Sequence, residues 1–283
     1  MSLNSVNTNT GAMIALESLN RTNADLAATQ KRVSTGYRVA DSTDDGAAYA
    51  VAQAVRSTVG ALTTANQQLG NVQGLLSTTQ SGLNNVSNTM ASMRDVLVSL
   101  SDSSVLGNQR TQYVAQYQSL LANVKTFIMD AGYSGKTLIG DITGSTGAFG
   151  RQTTVRNEMG ASYGIATFGG SALYAAINFT TTQLGVAATV AGLISATGTF
   201  LTQMNSVGTG LNTVGAEVNY VKNQITYNSD KIDALNTGLG SLVDADLAKE
   251  AAQLQALQIR QQLGTQALSL ANQAPQTLLS LFK

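Results

Sequence analysis

Gly132-Tyr133-Ser134-Gly135-Lys136-Thr137 ends as a phosphate-binding loop ends, with an ammonium and a hydroxyl placed to meet a nucleotide. Such a loop also needs glycine five residues before the glycine of Gly-Lys-Thr, and Asp130 stands there. It should lie between a strand and a helix, whereas a helical pattern precedes it and a Gly/Thr-rich run follows, so nucleotide binding is not expected. Asp41, Asp44 and Asp45 before Gly46 miss the alternating ligand spacing of a calcium loop and read as helix-capping groups, with Ser42 as N-cap and Asp45 in the first turn. Asp244 and Asp246 read as the start of the last helix. The chain has no Cys and no His, which excludes disulfide, thiolate and imidazole chemistry. Paired carboxylates could still do acid-base work, but those present are sparse and spread along helices. The expectation is no enzyme, no catalytic residue, no cofactor and no metal.

The elements that would have to position any site are long helices. From Val55 every seventh residue is apolar: Val55, Leu62, Leu69, Leu76, Leu83, Met90 and Leu97. A companion row runs from Val51 through Thr58, Ala65, Val72, Thr79, Val86 and Met93 to Leu100. A 3,4-spaced seam held this long predicts a helix packed lengthwise against others with a left-handed twist, about 75 Å long at 1.5 Å per residue. Its better mate has the rows Met204, Leu211, Val218, Ile225, Ile232, Leu239 and Val207, Val214, Val221, Asn228, Leu235, Leu242. Asn228 is the one polar member, read as a buried residue that sets register at a cost in stability, or else as partly exposed. A third stripe, Tyr113, Tyr117, Leu120, Val124, Phe127, follows a break around Ser101 to Gly107. Glycines 60, 70, 74 and 82 inside the long helix mark close approach of neighbouring helices, within or between subunits.

Composition narrows the partners. Of 283 residues 43% are hydrophobic, but only 11% are charged, against roughly 25% in typical domains. The 16 basic and 16 acidic residues cancel, so little keeps copies apart, and no basic excess exists for nucleic acid. Self-association is the expectation. The opening Met1-Ser2-Leu3-Asn4-Ser5 lacks the basic and apolar regions of a secretory signal peptide.

Residues 1 to 40 carry a thin seam of Ala12, Leu16, Leu19, Leu26 and Val33, interrupted by Asn23 and Gln30, too weak to hold until something packs on it. From Ser134 to Thr199 glycines recur, and Ser162 to Phe168 and Leu173 to Thr180 resemble strands. Leu184 to Leu201 is apolar, yet its threonines and glycines make a poor membrane span, so none is expected. After Leu242 the leucines 247, 254, 257, 263, 268 and 270 lie on an Ala- and Gln-rich helix, and beyond Pro275 the apolar finish Leu278 to Phe282 calls for a partner. The fold class is mainly α: a long antiparallel bundle or coiled coil made from both chain ends, with a small β-containing tip. Three regions are expected: 1–40 with 243–283 as a terminal coiled coil, 41–138 with 200–242 as the heptad bundle, and 139–199 as the tip.

At both ends the sequence resembles the bacterial flagellins. Ser18-Leu19-Asn20-Arg21-Thr22-Asn23, Arg32-Val33-Ser34-Thr35-Gly36-Tyr37-Arg38-Val39 and Ser42-Thr43-Asp44-Asp45-Gly46-Ala47-Ala48 look like the N-terminal signature of that family. Asp244-Ala245-Asp246, Gln261 to Leu268 and Ala271 to Phe282 look like its C-terminal one. The likeness covers 1–138 and 204–283. It implies a subunit of the helical filament used in swimming, whose terminal helices pair and line a central channel, so that Leu16, Leu19, Leu26 and Val33 would meet Leu254, Leu257, Leu263 and Leu270. It further implies export through the flagellar type III apparatus, a chaperone on the C-terminal helix, and cap and hook-filament junction proteins as partners. The short middle implies a thin, smooth filament. Ser92 and Gln116 stand where members read by the vertebrate toll-like receptor for flagellin carry arginine and glutamate, which implies weak signalling. Two other readings share some of these features: a junction-type adapter that stops at a fixed number of copies, and a surface protein that binds polysaccharide through the tip.

Overall fold

A computed structural model describes residues 8–281 of the chain, with side chains described up to residue 273. Eight helices and five short strands follow in order among these: α1 (Thr10–Thr35), α2 (Gly46–Ser101), α3 (Gly107–Asp130), β1 (Gly132–Tyr133), β2 (Lys136–Thr137), β3 (Ala148–Phe149), β4 (Gln152–Val155), β5 (Ser162–Ile165), α4 (Gly170–Ile177), α5 (Thr181–Leu184), α6 (Ala187–Leu193), α7 (Thr199–Val243) and α8 (Leu247–Leu281). The chain divides into two compact units, one holding the chain up to Thr58 and from Asp233, the other Val59–Ile232.

In the inner unit of sequence, Val59–Ile232, the heptad rows form the core. Leu62, Leu69, Leu76, Leu83, Met90 and Leu97 are all fully buried. From Leu69 onward they form one cluster with Val207, Val214 and Val221 of α7 and Tyr117, Leu121, Val124 and Ile128 of α3. A stripe repeating every seven residues stays on one side of a helix, which is why so few charges are needed to define its outer face. Within α2, the Cβ that Gly82 lacks would sit 2.7 Å from the Ala131 methyl, so glycine there permits a close approach.

The break between α2 and α3 is organised by one side chain. Arg110 donates from Nε to the Val105 carbonyl (2.9 Å), from Nη1 to Leu184 (2.8 Å) and from Nη2 to Leu100 (2.8 Å) and Asp102 (3.1 Å). The carbonyls left over at the end of α2 thus find a cation.

Two small sheets occupy the middle of the chain. β1 and β2 are antiparallel, joined by Ser134 and Gly135 at φ 51 and 75, and β2 pairs in parallel with β3. Positive φ at both central residues is the primed turn that suits a two-residue hairpin, so the Gly132 to Thr137 segment is a hairpin and not a cradle opening a helix. β4 and β5 pair antiparallel from Gln152↔Ile165 to Val155↔Ser162. Leu173 to Thr180, expected as a strand, is largely helix α4. In so short an apolar run periodicity does not separate strand from helix, and the capping of α5 by Thr180 with Gln183 continues helical structure from there. No helix among the described residues is long and apolar enough to cross a membrane.

In the unit formed by the chain ends, Val39, Ala52 and Val243 make a small core with Tyr49, Leu239 and Leu242 against it. α2 starts later than expected. Asp45, not Ser42, is its cap, accepting from the Ala47 and Ala48 amides at 3.0 Å, because the stretch before it is held elsewhere: Lys31 Nζ binds Asp41 at 2.6 Å and Asp44 at 2.8 Å.

Candidate assembly interface

α1 and α8 are the helices in closest contact in the chain-end unit. Asn9 caps α1 by accepting from the Ala12 amide (3.0 Å) and reaches across to donate to the Ala271 carbonyl (2.8 Å). Gly36, at φ 75, ends α1 with its amide on the Arg32 carbonyl. Asp246 starts α8 by accepting from the amides of Ala248 and Lys249. The link between the helices is anchored by backbone: the Arg38 amide donates to the Val243 carbonyl and the Ala245 amide to that of Gly36.

The seam between them mixes leucines and a valine with small and polar side chains. On α1 the sheltered positions are Ala12, Ala15, Leu19, Thr22, Leu26, Thr29 and Val33; on α8 they are Glu250, Leu254, Leu257, Gln261, Gly264, Leu268 and Ala271. Both follow a strict alternation of three and four. The absent Cβ of Gly264 would lie 3.2 Å from Leu19 Cδ1, which shows how close the helices run. Polar pairs cross the seam: Gln261 Nε2 donates to Asn23 Oδ1 at 2.7 Å, and Arg32 Nη1 approaches Glu250 Oε1 at 3.4 Å. Glu250 Oε2 is buried without a partner.

The expected meeting of leucines is therefore corrected in part. Leu19, Leu26, Val33, Leu254 and Leu257 lie on the seam, but Leu16, Leu263 and Leu270 do not: they are 47%, 58% and 70% exposed. Thr22 and Thr29 take the places assigned to Asn23 and Gln30, since the register follows Ala15 and not Leu16. Met13, Ile14, Leu247 and Ile259 are exposed as well. The pair thus presents apolar side chains outward while its inner seam is already filled. The apolar finish after Pro275 lies outside the described side chains.

In the other unit, Asn228 is 0% exposed. Its Nδ2 donates to Asn66 Oδ1 (2.9 Å) and to the Arg156 carbonyl (3.0 Å), and its Oδ1 accepts from Gln224 (3.0 Å). Lys231 pairs with Glu158 of the β4–β5 turn. Of the remaining seam positions, Leu211, Val218, Ile225 and Ile232 are half-buried, as is Val55 in the chain-end unit. Ser92 and Gln116 are exposed on α2 and α3. Sequence reading missed Arg110 and Glu217; a lone Arg in a break and a lone Glu within a heptad helix were the available signals. No group of three His, Cys, Asp or Glu that could hold a metal occurs among the described residues.

Comparison with known proteins adds three findings. Residues 6–143 match the family description "bacterial flagellin N-terminal helical region", and residues 194–282 match "bacterial flagellin C-terminal helical region". The flagellins FljM and FljK of Caulobacter vibrioides are each 32% identical over 288 residues, covering 100% of both chains, and a flagellin of Brucella melitensis is 30% identical with 99% of each covered. The fold is similar to that of a putative flagellar hook-associated protein from Vibrio parahaemolyticus, with a TM-score of 0.56 and 15% identity over 71% of this chain and 100% of that one.

Proposed function

Because this chain belongs to the bacterial flagellins, and is accordingly a structural subunit that polymerises into the extracellular flagellar filament, we propose that the α1–α8 pair drives its assembly as the inner-tube contact. The observation that carries this is the exposed row Met13, Ile14 and Leu16 on α1 with Ile259, Leu263 and Leu270 on α8. These side chains have no further place inside the subunit. Burying them against other copies, at about 25 cal/mol per Å² of apolar surface, favours association. The contacts are heterologous and do not close, which yields an open filament.

In this reading residues 1–40 with 243–283 line the channel, 41–138 with 200–242 form the surrounding tube, and 139–199 face outward. The protein acts by assembly and not by catalysis. It leaves the cell through the flagellar type III apparatus, is escorted by a chaperone on the C-terminal helix, and adds beneath a cap on a filament seated on junction proteins. With Ser92 and Gln116 in place of arginine and glutamate, it signals weakly through the vertebrate receptor for flagellin, so a strong response in reporter cells would contradict that part.

Seeded or salt-induced polymerisation followed by negative-stain microscopy tests the assembly mechanism. Long filaments are expected from the full chain and monomers from a chain lacking 1–40 and 243–283. Rings of fixed copy number from the full chain would favour a junction-type adapter instead.

A further inference from the structure

The β4–β5 hairpin is fastened to α7 at both ends, by different chemistry. At its turn, the Arg156 carbonyl accepts from Asn228 and Gln224 (3.2 Å), and Glu158 pairs with Lys231. At its open end the Ala166 amide donates to Glu217 Oε1 at 2.8 Å. Glu217 is only 7% exposed, and its Oε2 is buried with no partner. Nearby the rings of Tyr163, from β5, and Tyr220, from α7, stack with centroids 4.1 Å apart. The remaining charge facing Glu217 is Arg151, whose guanidinium lies where Gly164 lacks a side chain. Arg151 is exposed, so water screens it.

A carboxylate with one amide donor, a screened cation and an orphan oxygen has lost more hydration than it has regained. We propose that the Ala166 end of this hairpin is a proton-sensitive latch, closed on α7 when Glu217 is protonated and loosened when it is ionised. Burial, the largest influence, pushes the Glu217 carboxyl above the usual glutamate range, against the opposing Ala166 bond and Arg151. A raised value in the seated state means that the stabilisation is full below the free carboxyl value and is lost as pH rises through the seated one. Glu158 runs the other way, since the Lys231 bond lowers it, and its contribution is lost only in stronger acid. Tyr163 is pushed upward by burial and by Glu217, so it stays neutral throughout. Among the carboxyls of this cluster Glu217 is thus the one held above its ordinary value, while Glu158 is held below it.

Amide hydrogen exchange read by mass spectrometry on the full-length chain, corrected for the intrinsic pH dependence of exchange, tests the latch. In the unsubstituted protein, protection over 152–155 and 162–166 is expected to be about threefold to tenfold higher at pH 5 than at pH 8. Glu217→Gln, which keeps the acceptor for Ala166 and removes the charge, is expected to hold acid-level protection at both values. Flat protection in the unsubstituted chain, or an unchanged pH dependence in E217Q, would overturn the proposal. Should E217Q not fold, a carbon-13 titration of the Glu217 carboxyl decides: titration at or below the ordinary glutamate value sinks the latch, and titration above it supports it.

Discussion

Asn228 of α7 donates to Asn66 of α2 at 2.9 Å, an amide pair 162 residues apart in sequence set among rows of valine and leucine. The bond selects a register, because sliding α7 by one heptad would put Val221 opposite Asn66 and bury Asn228 without partners. Asn228→Ala removes donors from Asn66 and from the Arg156 carbonyl and leaves a small void. It is expected to lower the stability of the chain by about 2 kcal/mol, read as a shifted urea midpoint. A double-mutant cycle with Asn66→Ala should give less than the sum of the single changes, since both remove the same bond.

Arg110 serves four carbonyls with one planar group, which a lysine ammonium cannot do from a single position. Arg110→Lys is expected to cost about 1–3 kcal/mol, nearly as much as Arg110→Ala. Near-equal urea midpoints for the lysine variant and the parent would show that charge alone holds the α2–α3 break.

How much of this was legible in the sequence depended on side-chain size. In α2 the row from Leu62 to Leu97 is Leu and Met and is fully buried, whereas Val51 at the head of the companion row is 55% exposed and Leu211, Val218 and Ile225 of α7 are half-buried. In α1 and α8 the seam alternates Leu and Val with Ala, Thr, Gln and Gly, so large apolar residues alone do not define its register: Ala15, Gly264 and Ala271 are on it, and Leu16, Leu263 and Leu270 are not. The small residues that let these helices approach, such as Gly264 against Leu19, are those that add least to any hydrophobic pattern. Local chemistry misled at Ser42 for a related reason: the cap motif was genuine, but Lys31 drew Asp41 and Asp44 into another arrangement, leaving Asp45 as cap. Glu217 could be seen only once β5 was placed against α7.

Acid should loosen the turn after α1. The Lys31 bond, with help from Thr43, holds the Asp41 carboxyl well below the usual range, and Lys31 followed by the Ala40 amide does the same for Asp44. Lys31 itself is raised by these two carboxylates. A lowered carboxyl contributes stability that is present above its free value, about 3.9, and is lost as pH falls through the folded one. Amide protection around 41–45 is therefore expected to fall below about pH 4. Asp44→Asn should show weaker protection already at neutral pH and a flatter response to acid.

The exposed and sheltered leucines of the terminal pair should separate assembly from folding. Leu257 is buried on the α1–α8 seam, so Leu257→Ala is expected to cost about 2–3 kcal/mol and to lower helicity and polymerisation together. Leu263 and Leu270 are mostly exposed, so replacing both with Gln removes little that is buried inside the subunit. Helicity by circular dichroism should then match the parent, while seeded elongation slows at least tenfold. That outcome would assign the outward leucines to contacts between copies; unchanged elongation would instead move the assembly contact to another face of the pair, with Met13, Ile14 and Ile259 the next to be substituted.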